Sequence, residues 1–236
     1  MILDKSPNKT SRMFNRIAFR YDLLNNVISA FTHKRVRIFA LKLMNFEKRS
    51  IFLDLATGTG DFAFLLRRAS KKTSQVIGVD LSLEMLVIAK KKKRKKRIGK
   101  YLEFLIGDVT QLPFANNTFD GCSIVFGLRN LHQPQKALKE FLRVSKRGGS
   151  LVIAEATSPA KPKFRFLSNF YFTHLVPLIA RLLLSDPSAY NYLAQSIAEF
   201  PQTSVVSEMM QKTGWIRVRY FRMLFGSATL FLGIKP

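Results

Sequence analysis

The segment Asp54-Leu55-Ala56-Thr57-Gly58-Thr59-Gly60-Asp61 ends an apolar run and turns directly into a helical pattern. Small residues at such a turn let a ligand touch backbone. Gly58 and Gly60 permit positive φ, and the helix start offers free N–H groups at the positive end of its dipole. The dinucleotide fingerprint would place a third glycine where Ala63 stands, so a dinucleotide is the second choice of ligand. Val76-Ile77-Gly78-Val79-Asp80 brings a carboxylate to the tip of the next strand, 20 residues after Gly60. An acid there accepts hydrogen bonds from both hydroxyls of a ribose, a geometry shared by nicotinamide, flavin and S-adenosylmethionine sites. Gly107-Asp108-Val109 closes a third strand, where Asp108 can receive an adenine amino group and the Val109 N–H can meet a ring nitrogen. Three strand tips thus converge on one nucleoside, outside the carboxyl ends of the strands where open α/β sheets bind their ligands.

The elements that hold these residues read as an α/β chain. Strands are predicted at residues 51–55, 75–79, 102–106, 121–126 and 150–154, alternating with helices at 61–69, 82–90 and 134–146, the last stopped by Gly148-Gly149. This rhythm implies a mostly parallel sheet covered on both faces. A helix at 205–212 and a hairpin of 217–223 with 228–234 across Phe225-Gly226 complete seven strands, the last one antiparallel. Helical spacing of Phe14, Ile17, Ala18, Tyr21 and Leu24, then of Val36, Phe39 and Leu43, predicts a helical cap. The chain divides into a cap at 1–48, a ligand-binding nucleus at 49–156, a lid at 157–200 and a C-terminal helix and hairpin at 201–236, all one domain.

Composition bounds the function. The 236 residues carry 39 Lys+Arg against 15 Asp+Glu, a formal net charge of +24, with 47% hydrophobic residues. That is too apolar for a disordered chain. One cysteine, Cys122, excludes an internal disulfide, and His33, His132 and His174 show no metal spacing, so no metal is expected. The start MILDKSPNKTSRMF lacks the apolar stretch of a signal peptide, and residues 164–185 are interrupted by Arg165, Asn169, His174, Pro177 and Arg181. A cytoplasmic chain is predicted. Residues 90–100, KKKKRKKRIGK, hold nine basic groups and no acid. Such a face is drawn to nucleic acid phosphates or to an anionic bilayer, and a solvated surface accounts for it equally well.

DLATGTGD, GVDLS, GDVTQLPFANNTFD and VSKRGGSLVIAEATSP together resemble the class I S-adenosylmethionine-dependent methyltransferases and their Rossmann-like sheet. Met13 to Ala18, Arg20 to Asn25, Ile124 to Asn130, Pro177 to Ile179 and Asp186 to Pro201 narrow the likeness to the family that C-methylates quinone rings, the demethylmenaquinone and ubiquinone-pathway methyltransferases. The resemblance implies S-adenosylmethionine held by Gly58, Thr59, Gly60, Asp80, Asp108 and Val109. It implies a polyprenyl quinol as substrate, with demethylmenaquinol foremost. Arg129 and Asn130 would stabilise or orient the ring oxygen, with His132 as an alternative base, and Tyr21, Asn25, Asp186 and Tyr190 would line the ring pocket. Val125 stands where that family often has serine, and Thr57 where it often has cysteine or glycine. Phe164, Phe166, Phe170, Tyr171, Phe172 and residues 175–184 would then wrap an isoprenoid tail, with the basic surface holding the enzyme at an anionic leaflet as a peripheral membrane protein.

An RNA methyltransferase would use the same nucleus and read the basic surface as a phosphate footprint. Amino-group methylation of bases commonly needs Asn or Asp followed by Pro-Pro after the fourth strand, where this chain has Gly127-Leu128-Arg129-Asn130, and Cys122 lies inside a strand. No specific nucleic acid is therefore expected. A noncatalytic scaffold would have lost Asp80, Asp108 or the loop glycines. The sequence does not specify an oligomeric state.

Overall fold

The computed structural model describes residues 3–46, 50–159, 161–171, 174, 176 and 188–236. Seven strands form one sheet in the order β3-β2-β1-β4-β5-β7-β6. They are β1 Ile51–Leu55, β2 Gln75–Asp80, β3 Leu102–Ile106, β4 Phe119–Val125, β5 Ser145–Ala156, β6 Ile216–Met223 and β7 Ala228–Ile234. The first five pair in parallel, whereas β7 is antiparallel to both β5 and β6. Crossing from β3 back past β1 to β4 makes β1 and β4 the point where the order reverses, and a cleft opens at their carboxyl ends.

Side chains alternate across the sheet with period two. Leu53 and Leu55 point to the layer formed by α6, Pro134–Val144, and α9, Thr203–Lys212, with Phe141, Met210 and Trp215 fully buried among them. Phe52 points to the opposite layer of α3, Thr32–Leu43, α4, Asp61–Ala69, and α5, Leu83–Lys95, through Val36, Phe62, Leu66 and Leu86. The cap preceding α3 consists of α1, Pro7–Ile17, a 3-10 turn at Ala18–Arg20 and α2, Tyr21–Ile28. α7, Pro162–Phe170, follows β5, and α8 spans Ser188–Ala198.

Several boundaries differ from the sequence reading, and those of α5, α6 and β5 trace to identifiable residues. α6 ends at Val144, where Ser145 Oγ donates to the Phe141 carbonyl at 2.7 Å, and Gly148-Gly149 do not stop it. Those glycines lie within β5, whose register against β4 slips between Phe119 and Gly121 to make a bulge with Gly148 at φ 74°. α5 runs on to Lys95, since a lysine run propagates a helix that Ser82 caps by accepting the Met85 N–H at 3.2 Å. It descends antiparallel to β2, so Lys93 pairs with Glu103 at the start of β3. The far end of the basic run therefore leads away from the cleft toward the amino ends of the strands, while Lys92 reaches back beside the cleft to Thr59 and Asp61.

Gly78 sits at the middle of β2, where an added Cβ would lie 2.8 Å from both a Phe104 ring carbon and the Thr57 hydroxyl. Gly78→Ala is expected to cost about 1–3 kcal/mol through overpacking, measured as a lowered urea midpoint at unchanged slope.

Candidate functional site

A cleft of about 320 Å³ opens at the carboxyl ends of β1, β2, β3 and β4, within the range of small-molecule sites. Gly58, Thr59, Asp80, Asp108, Val109, Tyr21 and Asn130 line it, as do His132 and four residues that the sequence did not single out, Lys5, Thr10, Arg37 and Lys136. The turn after β1 is held by three aspartates in succession. Thr57 Oγ1 donates to Asp54 Oδ2 at 2.6 Å, the Gly58 N–H to Asp80 Oδ2 at 2.7 Å, and Thr59 Oγ1 to Asp22 Oδ1 at 2.6 Å. Gly60 shapes this turn and does not line the cleft: at φ 83° it begins α4, and a Cβ there would meet Phe104 at 2.8 Å.

The third tie docks the cap. Lys92 Nζ lies 2.5 Å from Asp22 Oδ2, 2.8 Å from Asp61 Oδ1 and 2.9 Å from Thr59 Oγ1. One lysine of the basic run thus neutralises two carboxylates where α2, α4 and α5 meet. The Thr59 hydroxyl is committed to this network, so a cofactor would meet Thr59 through its other atoms.

The remaining strand tips fit a nucleoside. Asp80 Oδ1 accepts the Ser82 N–H at 2.8 Å, and burial pushes its carboxyl above the usual range against these backbone bonds. Each oxygen keeps lone-pair capacity for a ribose hydroxyl. Asp108 Oδ1 takes both the N–H and the hydroxyl of Thr110, at 2.7 and 2.8 Å. Oδ2 of Asp108 and the Val109 N–H have no bond among the described residues, which are the acceptor and donor an adenine edge calls for.

The two residues expected to do chemistry are placed differently. Asn130 lines the cleft, and its Oδ1 is buried without a partner. Arg129, 8% exposed, sends Nη1 to Glu155 Oε1 at 2.5 Å and to the Phe126 carbonyl at 2.8 Å, and Glu155 Oε2 also accepts the Arg129 N–H. Burial works against the charge of its guanidinium, but Glu155 together with Tyr21 and Tyr192 holds its pKa above the usual value. Arg129 Nε, Thr10 Oγ1 and Tyr192 OH are likewise buried without partners of good hydrogen-bond geometry among the described residues. Unpaired buried groups of this kind cost about 1–3 kcal/mol each, so their gathering beside one cleft marks a place built for a polar ligand.

Other expectations meet a different outcome. Asn25 does not line the cleft; its carbonyl serves the C-terminus of α2, accepting from the Ser29 N–H and hydroxyl. Tyr190 lies on α8, and Asp186, Phe172 and most of 175–184 lie outside the described residues. Phe166 and Phe170 are exposed rather than enclosed, because their helix presents that face outward, while Phe164 stacks on Phe225 at 4.7 Å. Tyr171 turns inward to donate to the Ile28 carbonyl at 2.6 Å. His33 is buried, with Nδ1 against Ser29 Oγ, and burial lowers its pKa to about 4. Among the described residues no group of side chains is arranged to hold a metal ion, and no helix is long and apolar enough to cross a membrane.

Residues 3–235 match the model of the ubiE/COQ5 methyltransferase family. The chain belongs to that family. It is 37% identical over 234 residues to the demethylmenaquinone methyltransferase of Paenarthrobacter aurescens, covering 99% of this chain and 89% of the relative. It is 36% identical over 233 residues to the ubiquinone/menaquinone biosynthesis C-methyltransferase UbiE of a Geobacter species, covering 99% of both. Solved structures share the fold at lower identity. An Aquifex aeolicus SAM-dependent methyltransferase superposes with TM-score 0.62 at 19% identity over 100% of both chains. A Haemonchus contortus phosphoethanolamine N-methyltransferase in complex with S-adenosylmethionine gives 0.66 at 16%, covering 94% of this chain and 57% of that one. None of these bears the name of an RNA methyltransferase.

Asp54 carries a pH consequence. It is 1% exposed, and burial raises its carboxyl from 3.8 to about 6 despite the hydroxyls of Thr57 and Ser123. Between pH 4 and 6 the unfolded chain releases a proton that the folded chain keeps, so this group's contribution falls as pH rises and is constant above the folded value. Relative to the native chain, Asp54→Asn should gain up to about 3 kcal/mol of stability between pH 4 and pH 7, read from urea unfolding at the two pH values.

Proposed function

We propose that this methyltransferase transfers a methyl group to a ring carbon of a polyprenyl quinol, demethylmenaquinol foremost, as a step in making menaquinone. The observation that carries this reading is the joining, in one cleft, of a nucleoside-shaped set of strand tips to Asn130, whose buried Oδ1 has no partner among the described residues, within a chain that matches quinone methyltransferases over nearly its whole length. The methyl donor is S-adenosylmethionine, which supplies an electrophilic methyl on its sulfonium. Asp80 would hold its ribose, Asp108 and Val109 its adenine, and the Gly58 turn its close approach.

Catalysis by the protein is then positioning and charge. A quinol carbon becomes nucleophilic as an adjacent hydroxyl loses its proton, and the ring later sheds the hydrogen of the methylated carbon to restore aromaticity. Asn130 orients that ring oxygen. Arg129, fixed by Glu155 and the Phe126 carbonyl, sets a rigid positive charge behind it and favours the developing oxyanion. His132 is within the same cleft for the departing proton. Purified protein incubated with methyl-labelled S-adenosylmethionine and separate lipid and RNA pools should label the quinol fraction. Label in RNA would overturn the reading. Arg129→Ala should lower kcat on the order of 100-fold while calorimetry finds S-adenosylhomocysteine still bound; unchanged turnover would remove Arg129 from the mechanism.

The substrate's tail resides in a bilayer, and α7 has the chemistry to meet one. Phe166 is 74% and Phe225 78% exposed, with Phe170 and the basic Lys161, Lys163 and Arg165 also exposed around them. β6 runs parallel to β5, so the Leu224–Gly226 turn that carries Phe225 lies at the same edge as the cleft. Aromatic rings entering the headgroup region and basic side chains drawn to anionic lipid, each worth about 1 kcal/mol near the surface, would seat the enzyme with its cleft toward the leaflet. Lys92 of the lysine run is already paired with Asp22 and Asp61, and the residues beyond it, leading away from the cleft, would add only longer-range attraction. In flotation at low salt the protein should favour anionic over neutral vesicles, and Phe166→Ser with Phe225→Ser should release it more than reversal of Lys95 and Lys96 to glutamate does. Equal binding to both vesicle types would end the membrane proposal.

A further inference from the structure

A second cavity of about 550 Å³ lies beside the first, between α1 and α8, lined by Lys9, Arg12, Met13, Arg16, Ile17 and Tyr192 among others. Thr10 lines both cavities, and Tyr192 lines the second one next to it. Their hydroxyl oxygens are buried and unpaired, although Thr10 lies close enough to Tyr192 to bear on its acidity. Asn130 Oδ1 and Arg129 Nε, the other unpaired atoms of this neighbourhood, belong to the 3-10 turn Leu128–Asn130 that α8 packs against. Among the described residues none satisfies these four atoms.

Building on the function proposed above, we propose that Tyr192 and Thr10 form a second oxygen subsite that recognises the quinol hydroxyl across the ring from the one met by Asn130. A quinol carries two oxygens in para positions, so a site that reads only one cannot tell it from a phenol. Two hydroxyls, each able to donate and accept, suit an oxygen that is protonated in the substrate and negative when its proton leaves. Burial keeps the Tyr192 hydroxyl protonated, against Arg129, while Glu155 and Glu199 act with burial. Lys5, half-buried on the cleft wall and held below its usual pKa by burial and by Arg129, adds a further donor facing the same groups. Sequence spacing gave no means of choosing Tyr192 over Tyr190. The packing of α8 against the 3-10 turn and the buried Tyr192 hydroxyl point to it.

Tyr192→Phe keeps the ring and removes the one oxygen. Steady-state kinetics with a short-chain demethylmenaquinol should show kcat/KM falling about tenfold, the loss of one hydrogen bond, carried mainly by KM, while calorimetric affinity for S-adenosylhomocysteine stays within about twofold, as the subsite lies apart from the nucleoside tips. Thr10→Val should act in the same direction, and the double variant should lose less than the two single losses combined, as expected of groups that share a ligand oxygen. Native protein should prefer the quinol over its mono-O-methyl ether blocked at the second oxygen, and Tyr192→Phe should erase that preference. A variant that keeps the native KM and preference overturns the subsite, as does one that loses quinol, ether and S-adenosylhomocysteine binding together. Native protein that methylates no quinol overturns instead the function on which the subsite rests.

Discussion

Three consecutive residues after β1 are each tied to a different aspartate, and the rest of the molecule is arranged around that constraint. Thr57 is held from below by Asp54 of the same strand, Gly58 from the side by Asp80 of β2, and Thr59 from above by Asp22 of the cap. A turn with two glycines at positive φ is costly to order, because glycine loses most conformational freedom on folding. Charge-assisted bonds of about 2.6 to 2.7 Å offset that cost and leave the turn rigid before any ligand arrives. The same bonds make the cap part of the site: Lys92 closes the ring through Asp22 and Asp61, so the helices over the cleft are fastened to the loop beneath it.

This use of carboxylates changes the meaning of the net charge. With only 15 acids in 236 residues, those near the site are engaged with specific partners: Asp22 and Asp61 with Lys92, Glu155 with Arg129, Asp80 with backbone N–H groups. The basic surplus is left to the surface. It is spread over the whole molecule, with a run on α5 and exposed Lys161, Lys163 and Arg165 at α7. Position in the fold, rather than the length of a charged run, separates a docking charge from a solubilising one.

The strands were legible because their periodicity, length and bounding glycines agreed; β1, β3, β7 and α4 fall on the residues that the sequence predicts. The Gly148-Gly149 stop misled for a physical reason. A glycine pair reads the same in a helix C-cap as in a bulge, and the choice is made by a neighbouring strand that a local pattern does not contain. Asp22 and Lys92 were present in the sequence, one within a quoted motif and the other within a low-complexity run, yet their partnership spans distant elements and has no spacing signature. Thr10 and Lys5 precede the predicted cap stripe and carried no signal.

The sequence by itself determined the order of strands and helices, the glycine turn and the two acid-bearing strand tips, the nucleoside chemistry they imply and, through its motifs, the family. These are local properties, set by side-chain type and by periods of two and 3.6 residues. Tertiary structure alone decided that Arg129 turns to Glu155 while Asn130 faces the cleft, that Thr59 serves the cap, and that Lys92, out of its basic run, fastens the cap to the turn after β1. Each of those outcomes depends on which distant groups compete for a buried donor or acceptor, and desolvation settles that competition only once the chain is packed.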